Sequence, residues 1–219
     1  MMSVAVIVPC HEGHFKFIPT LLQNIAKSTR KPDRIAISCS SWFCDTTLRI
    51  FADTIPVDIY FHSRRMNAAE NRNHAARLAT EDILTFLDAD DLMYPERIEY
   101  VCETIRRGGD IAFHSYSKSS TYEPQRTFPP AGELRISSSS VVPDPNTWSF
   151  GVVCDPPNGF PHHHAHLTIR RNVFLNFQFD ESAEKERIED SVYARQVVGC
   201  QKYKCVFIEN TLSHYKFMY

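Results

Sequence analysis

Glycine is scarce in this chain, seven residues in 219, and no G-x-x-x-x-G-K-[ST], G-x-G-x-x-G or G-x-S-x-G is present. That argues against kinases, Rossmann dehydrogenases and α/β-hydrolases. The seven cysteines are scattered, odd in number and without a C-x-x-C pair, so neither a disulfide framework nor a structural zinc site is expected, and a reducing, cytoplasmic setting fits that usage. No charge excess exists: 24 Lys+Arg oppose 26 Asp+Glu for a net −2. No global field therefore draws nucleic acid or an anionic membrane, and any anion must be held locally. Long apolar runs are also missing. Val4 to Val8 is five residues without a basic flank, which reads as a buried strand and as neither a signal peptide nor a membrane span. What is present is core material, 43% hydrophobic residues with 15 Phe and 9 Tyr, which excludes a wholly disordered chain.

The first half alternates between strand and helix patterns. Strands are expected at Val4 to Val8, Arg34 to Ser38, Val57 to Phe61, Ile83 to Leu87 and Ile111 to His114. Phe17, Ile18, Leu21, Leu22 and Ile25 form one helical stripe, with Pro19 in its first turn; Asp45 caps a short helix through Phe51; Ala68 to Ala79 is Ala- and Arg-rich; and Pro95 opens a helix with Ile98, Val101, Cys102 and Ile105 inward, stopped by Gly108-Gly109. This order implies a parallel sheet covered on both faces. Residues 117–166 hold most of the prolines and the Ser137 to Ser140 run, and read as a loop-rich working surface with short strands around Val141-Val142 and Trp148 to Val153. Order returns as a strand at Leu167 to Arg170, a helix over about Glu189 to Val198, and a strand around Cys205 to Ile208.

Open α/β sheets bind ligands beyond the carboxyl ends of their strands. Directly after the fourth strand stand Asp88, Asp90 and Asp91, three carboxylates in four positions. Like charges so close repel by about 1 kcal/mol or more per pair in a partly buried site. Oxygen-only ligands suit Mg²⁺ or Mn²⁺, an ion commonly shared with a substrate diphosphate. The competing reading makes Asp91 a cap for the Pro95 helix and the others solvated turn residues.

Ile7-Val8-Pro9, Arg72-Asn73-His74-Ala75, Phe86-Leu87-Asp88-Ala89-Asp90-Asp91, Phe179-Asp180-Glu181 and Glu189-Asp190 stand in the order seen in family 2-like glycosyltransferases of the GT-A fold. The chain resembles that family from Ser3 to about Leu92 and again from Ile169 to about Arg195. The resemblance implies one GT-A domain over residues 1–219, with a nucleotide-sugar-binding half at 1–116 and an acceptor-binding, catalytic half at 117–219. It implies a mostly parallel sheet with helices on both faces and a small mixed C-terminal part. A UDP- or GDP-sugar would lie against Pro9, His11, Glu12, Ser40, Arg72, Asn73, Asp88, Ala89 and His214, its diphosphate bridged by Mn²⁺ or Mg²⁺ on Asp90 and Asp88. Asp190, beside Glu189, corresponds to the general base; a helix N-terminus keeps such a carboxylate ionised, and one displacement by an acceptor hydroxyl inverts the anomeric centre.

The chain also departs from that pattern. The acid that commonly reads the nucleotide base at the end of the second strand is replaced by Ser38-Cys39-Ser40-Ser41, leaving His11 to stack on the base, Glu12 to bond its edge, or Asp45 to substitute. Of His162, His163, His164 and His166, only alternate members share a strand face; a role for His164 at the acceptor or donor phosphate, a plain strand surface and a zinc site stand as alternatives. Trp42 and Trp148 fall in loops on the ligand side, where a ring can stack on a sugar, and Trp148 is the acceptor candidate. Lys216, beside His214, is suited to a leaving diphosphate. A catalytically inactive nucleotide-sugar-binding module and a metal-independent glycosidase are the alternatives in function.

Overall fold

The computed structural model describes residues 2–119, 123, 126–144, 152–155, 167–185 and 188–216. Its central element is a mixed sheet, nine-stranded among the described residues, in the spatial order Thr46–Ala52, Ile55–Phe61, Arg34–Ser40, Val4–His11, Ile83–Phe86, Leu167–Arg170, Ile111–Ser119, Cys205–Lys216, Leu92–Met93. The first strands lie near their expected positions: β1 Val4–His11, β2 Arg34–Ser40, β4 Ile55–Phe61, β5 Ile83–Phe86 and β7 Ile111–Ser119. β1 pairs in parallel with both β2 and β5, and β2 with β4. Helix α1, Ile18–Ile25, buries Ile18, Leu21, Leu22 and Ile25, spaced three and four apart. It packs with α3, Arg97–Arg106, on one face of the sheet. Helices α2, Ala68–Leu78, and α5, Glu189–Gly199, cover the other. Gly108, at φ +98°, ends α3 in the left-handed turn that a side chain would strain.

Two expectations fail. Residues Thr46–Ala52 form an edge strand, β3, antiparallel to β4, and no helix. The Thr-Thr-Leu-Arg-Ile-Phe pattern has the β-branched content and period of two that suit a strand. Arg49 clamps Asp58 directly across the ladder, Nη2 to Oδ2 at 2.9 Å. Asp45 caps no helix; its carboxylate accepts from the Ser63 backbone N–H. The sheet is also less parallel than expected. β10, Leu167–Arg170, is antiparallel to both β5 and β7 and lies between them. β11, Cys205–Lys216, runs far beyond the expected strand, parallel to β7 and antiparallel to the two-residue β6, Leu92–Met93. A short helix α4, Arg171–Asn176, follows β10 and buries Val173 and Phe174. Within 117–166, β8 Ser140–Pro143 and β9 Val152–Asp155 form a hairpin against α5. Trp148 and His162 to His166, His164 among them, lie outside the described residues.

The sheet is locked to α3 by Arg97, fully buried. Its guanidinium donates to Ser213 Oγ (2.8 Å) on β11, to Thr85 Oγ1 (3.2 Å) and to the Phe86 carbonyl (2.5 Å) on β5. Burial pushes its pKa down to about 10 against the pull of Asp91 and Asp88. No helix among the described residues is long and apolar enough to cross a membrane.

On the opposite face, His74 of α2 meets His62 edge-on at 4.3 Å and Tyr60 at 5.5 Å. Burial, then His62, Arg77 and Arg64, lower the His74 pKa from 6.5 to about 4. The folded chain therefore refuses a proton that the unfolded chain accepts, so this stability is complete above about pH 6.5 and lost as pH falls toward 4. We expect His74→Gln to remove about 2 kcal/mol of the acid-side slope in urea unfolding between pH 7 and 4.5; an unchanged slope would show that this pair does not set acid sensitivity.

Candidate functional site

The carboxyl ends of β1 and β5 and the start of α2 enclose a cavity of about 180 Å³. β1 supplies Pro9, Cys10 and His11, and then turns sharply into a 3₁₀ segment, Glu12–Phe17. The His11 Nδ1 accepts the Gly13 N–H at 3.1 Å. A Cβ on Gly13 would come within 2.9 Å of that imidazole, so glycine permits the close turn that carries His14 to the cavity. The helix α2 begins with a complete capping box, Asn67 Oδ1 accepting Glu70 N–H at 2.9 Å and Glu70 Oε2 accepting Asn67 N–H at 2.8 Å. Its inner face then presents Ala68, Asn71 and Arg72, and the turn after β5 contributes Asp88, Ala89 and Asp90. A second recess of about 380 Å³ adjoins the first through His11, Met66 and Ala68, and adds Ser41, Arg65 and Asn67.

Arg72 is 2% exposed and joins two distant acidic elements. Its Nη2 donates to Asp88 Oδ1 at 3.0 Å and its Nη1 to Glu189 Oε1 at 2.6 Å. Burial works against the guanidinium charge, but Asp88, Glu189 and Asp190 overcome it and raise the pKa above the ordinary value. The Phe179 ring lies 5.5 Å from the guanidinium carbon and stacks on Tyr193 of α5 at 4.0 Å. Asp190, half-buried in the first turn of α5, accepts the Ser191 N–H at 2.7 Å. Burial first, and the Asp88 charge second, raise the Asp90 pKa, opposed by His14 and Lys216.

Several expected residues do not reach the cavity. The Ser40 hydroxyl is buried, donating to the Met66 carbonyl (3.2 Å) and accepting from Asn71 Nδ2 (3.0 Å). Asn73 is spent on the segment before α5, bonding the Phe179 N–H and carbonyl and Glu181 Oε1. His214 is buried away from the acids, its Nδ1 2.9 Å from Ser117 Oγ, and burial and Arg126 lower its pKa. Glu12 is exposed at the start of the 3₁₀ segment. Asp91 neither caps α3 nor lines the cavity; it is buried and accepts the Lys216 N–H at 2.9 Å. Trp42 packs against Phe15 and Phe61 and is no open platform. Conversely, Cys10, Met66, Asn71 and His14 line the cavity without a motif to announce them. Asn71 was accessible in principle, since it shares the Ala68 and Arg72 face at helical spacing. Tyr215 does not line the cavity; burial, then Asp88, Asp91, Asp190 and Asp90, push its phenol pKa up.

The donor set fits a hard divalent cation in one respect: Asp88 and Asp90 offer oxygen alone and repel each other across a half-buried wall. One Asp88 oxygen is engaged by Arg72. Among the described residues no three His, Cys, Asp or Glu side chains are grouped to enclose an ion unaided, so water and a ligand's phosphates would complete its shell.

The fold and this strand-end acidic site define a GT-A glycosyltransferase architecture. The model of "Glycosyl transferase family 2" matches residues 5–167, and the chain belongs to that family. An uncharacterized glycosyltransferase of Haemophilus influenzae is 30% identical over 112 residues, which are 50% of this chain and 37% of that protein. Among solved structures, Staphylococcus aureus TarS 1–349 superimposes with TM-score 0.66 at 16% identity, covering 98% of this chain and 60% of that one. The same fragment in complex with UDP-GlcNAc gives 0.66 at 14% identity, covering 100% and 59%. The chain thus spans little more than a third of the first relative and three-fifths of the second.

Removing Arg72 leaves Asp88 and Glu189 facing each other without a cation, so Arg72→Met is expected to cost about 3–5 kcal/mol in chemical denaturation. Arg72→Lys should recover only part, because an ammonium lacks the two-pronged reach. Wild-type stability in Arg72→Met would refute a structural role for the bridge.

Proposed function

We propose that this chain transfers a sugar from a nucleoside-diphosphate donor, a UDP- or GDP-sugar, to an acceptor hydroxyl with inversion at the anomeric carbon. One observation carries the reading: Arg72 gathers the Asp88-x-Asp90 wall of the cavity and the Glu189-Asp190 start of α5 around a single guanidinium. Family membership and the fold shared with TarS, which has been solved with UDP-GlcNAc, support a nucleotide-sugar donor. Residues 1–116 would hold the donor, with Pro9, His11 and Ala89 against it, and 117–219 would supply the acceptor side. Cysteine usage supports a cytoplasmic location.

The chemistry follows from charge placement. A neutral hydroxyl attacks poorly until its proton is removed, so Asp190 accepts that proton as the oxygen bonds to the anomeric carbon and the bond to the diphosphate breaks. Its place in the first turn of α5 sets it at the positive end of that helix. Glu189, held by Arg72, fixes where that turn begins. A divalent cation, Mn²⁺ or Mg²⁺, on Asp90 and Asp88 would supply positive charge for the departing diphosphate.

A thermal-shift screen of UDP-, GDP-, CMP- and dTDP-sugars with and without Mn²⁺ tests the donor; saturation a hundredfold above Kd stabilises by about 2.7 kcal/mol. No shift with any of them would refute the reading. For the base, Asp190→Asn is expected to lower slow donor hydrolysis, water standing in for the acceptor, by about 10²–10⁴-fold while the donor still shifts the melting point. Equal hydrolysis by both proteins would remove Asp190 from the mechanism, and donor binding with no turnover in wild type would make this an inactive module. Activity that survives EDTA would exclude the metal.

A further inference from the structure

We infer that His14, which lines the same cavity as Asp88 and Asp90, is a donor-phosphate contact through an imidazole N–H; this rests on the proposed nucleotide-sugar reading. A diphosphate entering between Asp88 and Asp90 meets two carboxylates and needs cationic or N–H partners. Of the donor side chains that line this cavity, Arg72 has both terminal nitrogens held by Glu189 and Asp88, and Asn71 Nδ2 is bonded to Ser40 Oγ and to the Met66 and Asn67 carbonyls. Arg97 lies beneath β5, directed at Ser213, Thr85 and the Phe86 carbonyl, and does not line the cavity. The His11 ring, exposed at the rim, has Nδ1 taken up by the Gly13 N–H and keeps only Nε2 as a donor. His14 is the half-buried imidazole of the cavity wall, and no hydrogen bond among the described residues engages its ring nitrogens.

Its position is built. The His11 ring lies 4.1 Å away on one side, and the Phe17 ring meets it edge-on at 5.6 Å. The same Phe17 ring carries the Lys216 ammonium at 4.4 Å, so one aromatic ring packs against both side chains. An imidazole N–H there donates to a phosphate oxygen as the leaving group gathers charge.

The test compares calorimetric binding of inorganic pyrophosphate, UDP and GDP, each with Mn²⁺, against uridine and guanosine. His14→Ala is expected to weaken pyrophosphate and the preferred nucleoside diphosphate about tenfold, the scale of one charge-assisted hydrogen bond, with nucleoside binding unchanged and His14→Lys within about twofold of wild type. If His14→Ala does not fold by circular dichroism, His14→Gln serves for the same comparison. Diphosphate binding equal to wild type, or an equal loss for nucleosides, overturns the assignment and leaves the donor reading standing. Failure of the wild-type protein to bind pyrophosphate, UDP or GDP overturns the donor reading itself and the His14 assignment with it.

Discussion

A guanidinium withdrawn from water is tolerable only when its charge is answered at once, and Arg72 is answered twice, by Asp88 at the end of β5 and by Glu189 at the start of α5. Those partners stand 16 and 117 positions away in the chain. Neither the acidic turn nor the first turn of α5 can move without stranding a buried charge. The rest of α2 reinforces the arrangement. Asn67 Nδ2 reaches the Glu181 carbonyl at 2.9 Å, Asn73 grips Phe179 from both sides, and Arg77 bonds Glu181 at 2.9 Å. An Ala-rich helix with a modest apolar face is thereby turned into the beam that carries the segment leading to α5.

The polar inner face of α2 also explains which parts of the site could be read in advance. Asp88, Asp90 and the Glu189-Asp190 pair stand out because carboxylates cluster at the ends of well-patterned elements. Arg72 was identifiable as a suitable partner, but not that it would spend itself on protein carboxylates. The candidates that do not line the cavity share one feature: Ser40, Asn73 and His214 are polar groups that hydrogen-bond within the fold. Cys10 and Met66 carry no chemical signature, and their place in the cavity wall follows from how β1 and α2 meet. Strand alternation sets neighbours on opposite sides of β11, and His214 turns toward Ser117 while Tyr215 meets Tyr116 edge-on.

The same distinction holds for the fold. β1, β2, β4, β5 and the helix stripes of α1 and α3 announce themselves by apolar periodicity, and their positions agree closely with expectation. β3 does not, because its residues are mostly exposed and its stability comes from pairing with β4 and from Arg49 on Asp58. Strand direction is likewise invisible to periodicity. Leu167-Thr-Ile-Arg170 looks the same whether it runs with β5 or against it; its antiparallel placement is set by long-range pairing, with Thr168 donating to Thr85 at 2.8 Å.

That placement of β10 has a consequence for how the chain is made. β5 and β7 are synthesised early, yet they flank a gap that only residues 167–170 fill. Until the ribosome has released that stretch, both strands present bare edges, an invitation to premature association of the kind nascent chains meet with chaperones. In chain order the gap is filled by β10 first, Glu189 reaches Arg72 next, and β11 adds the far side of β7 last.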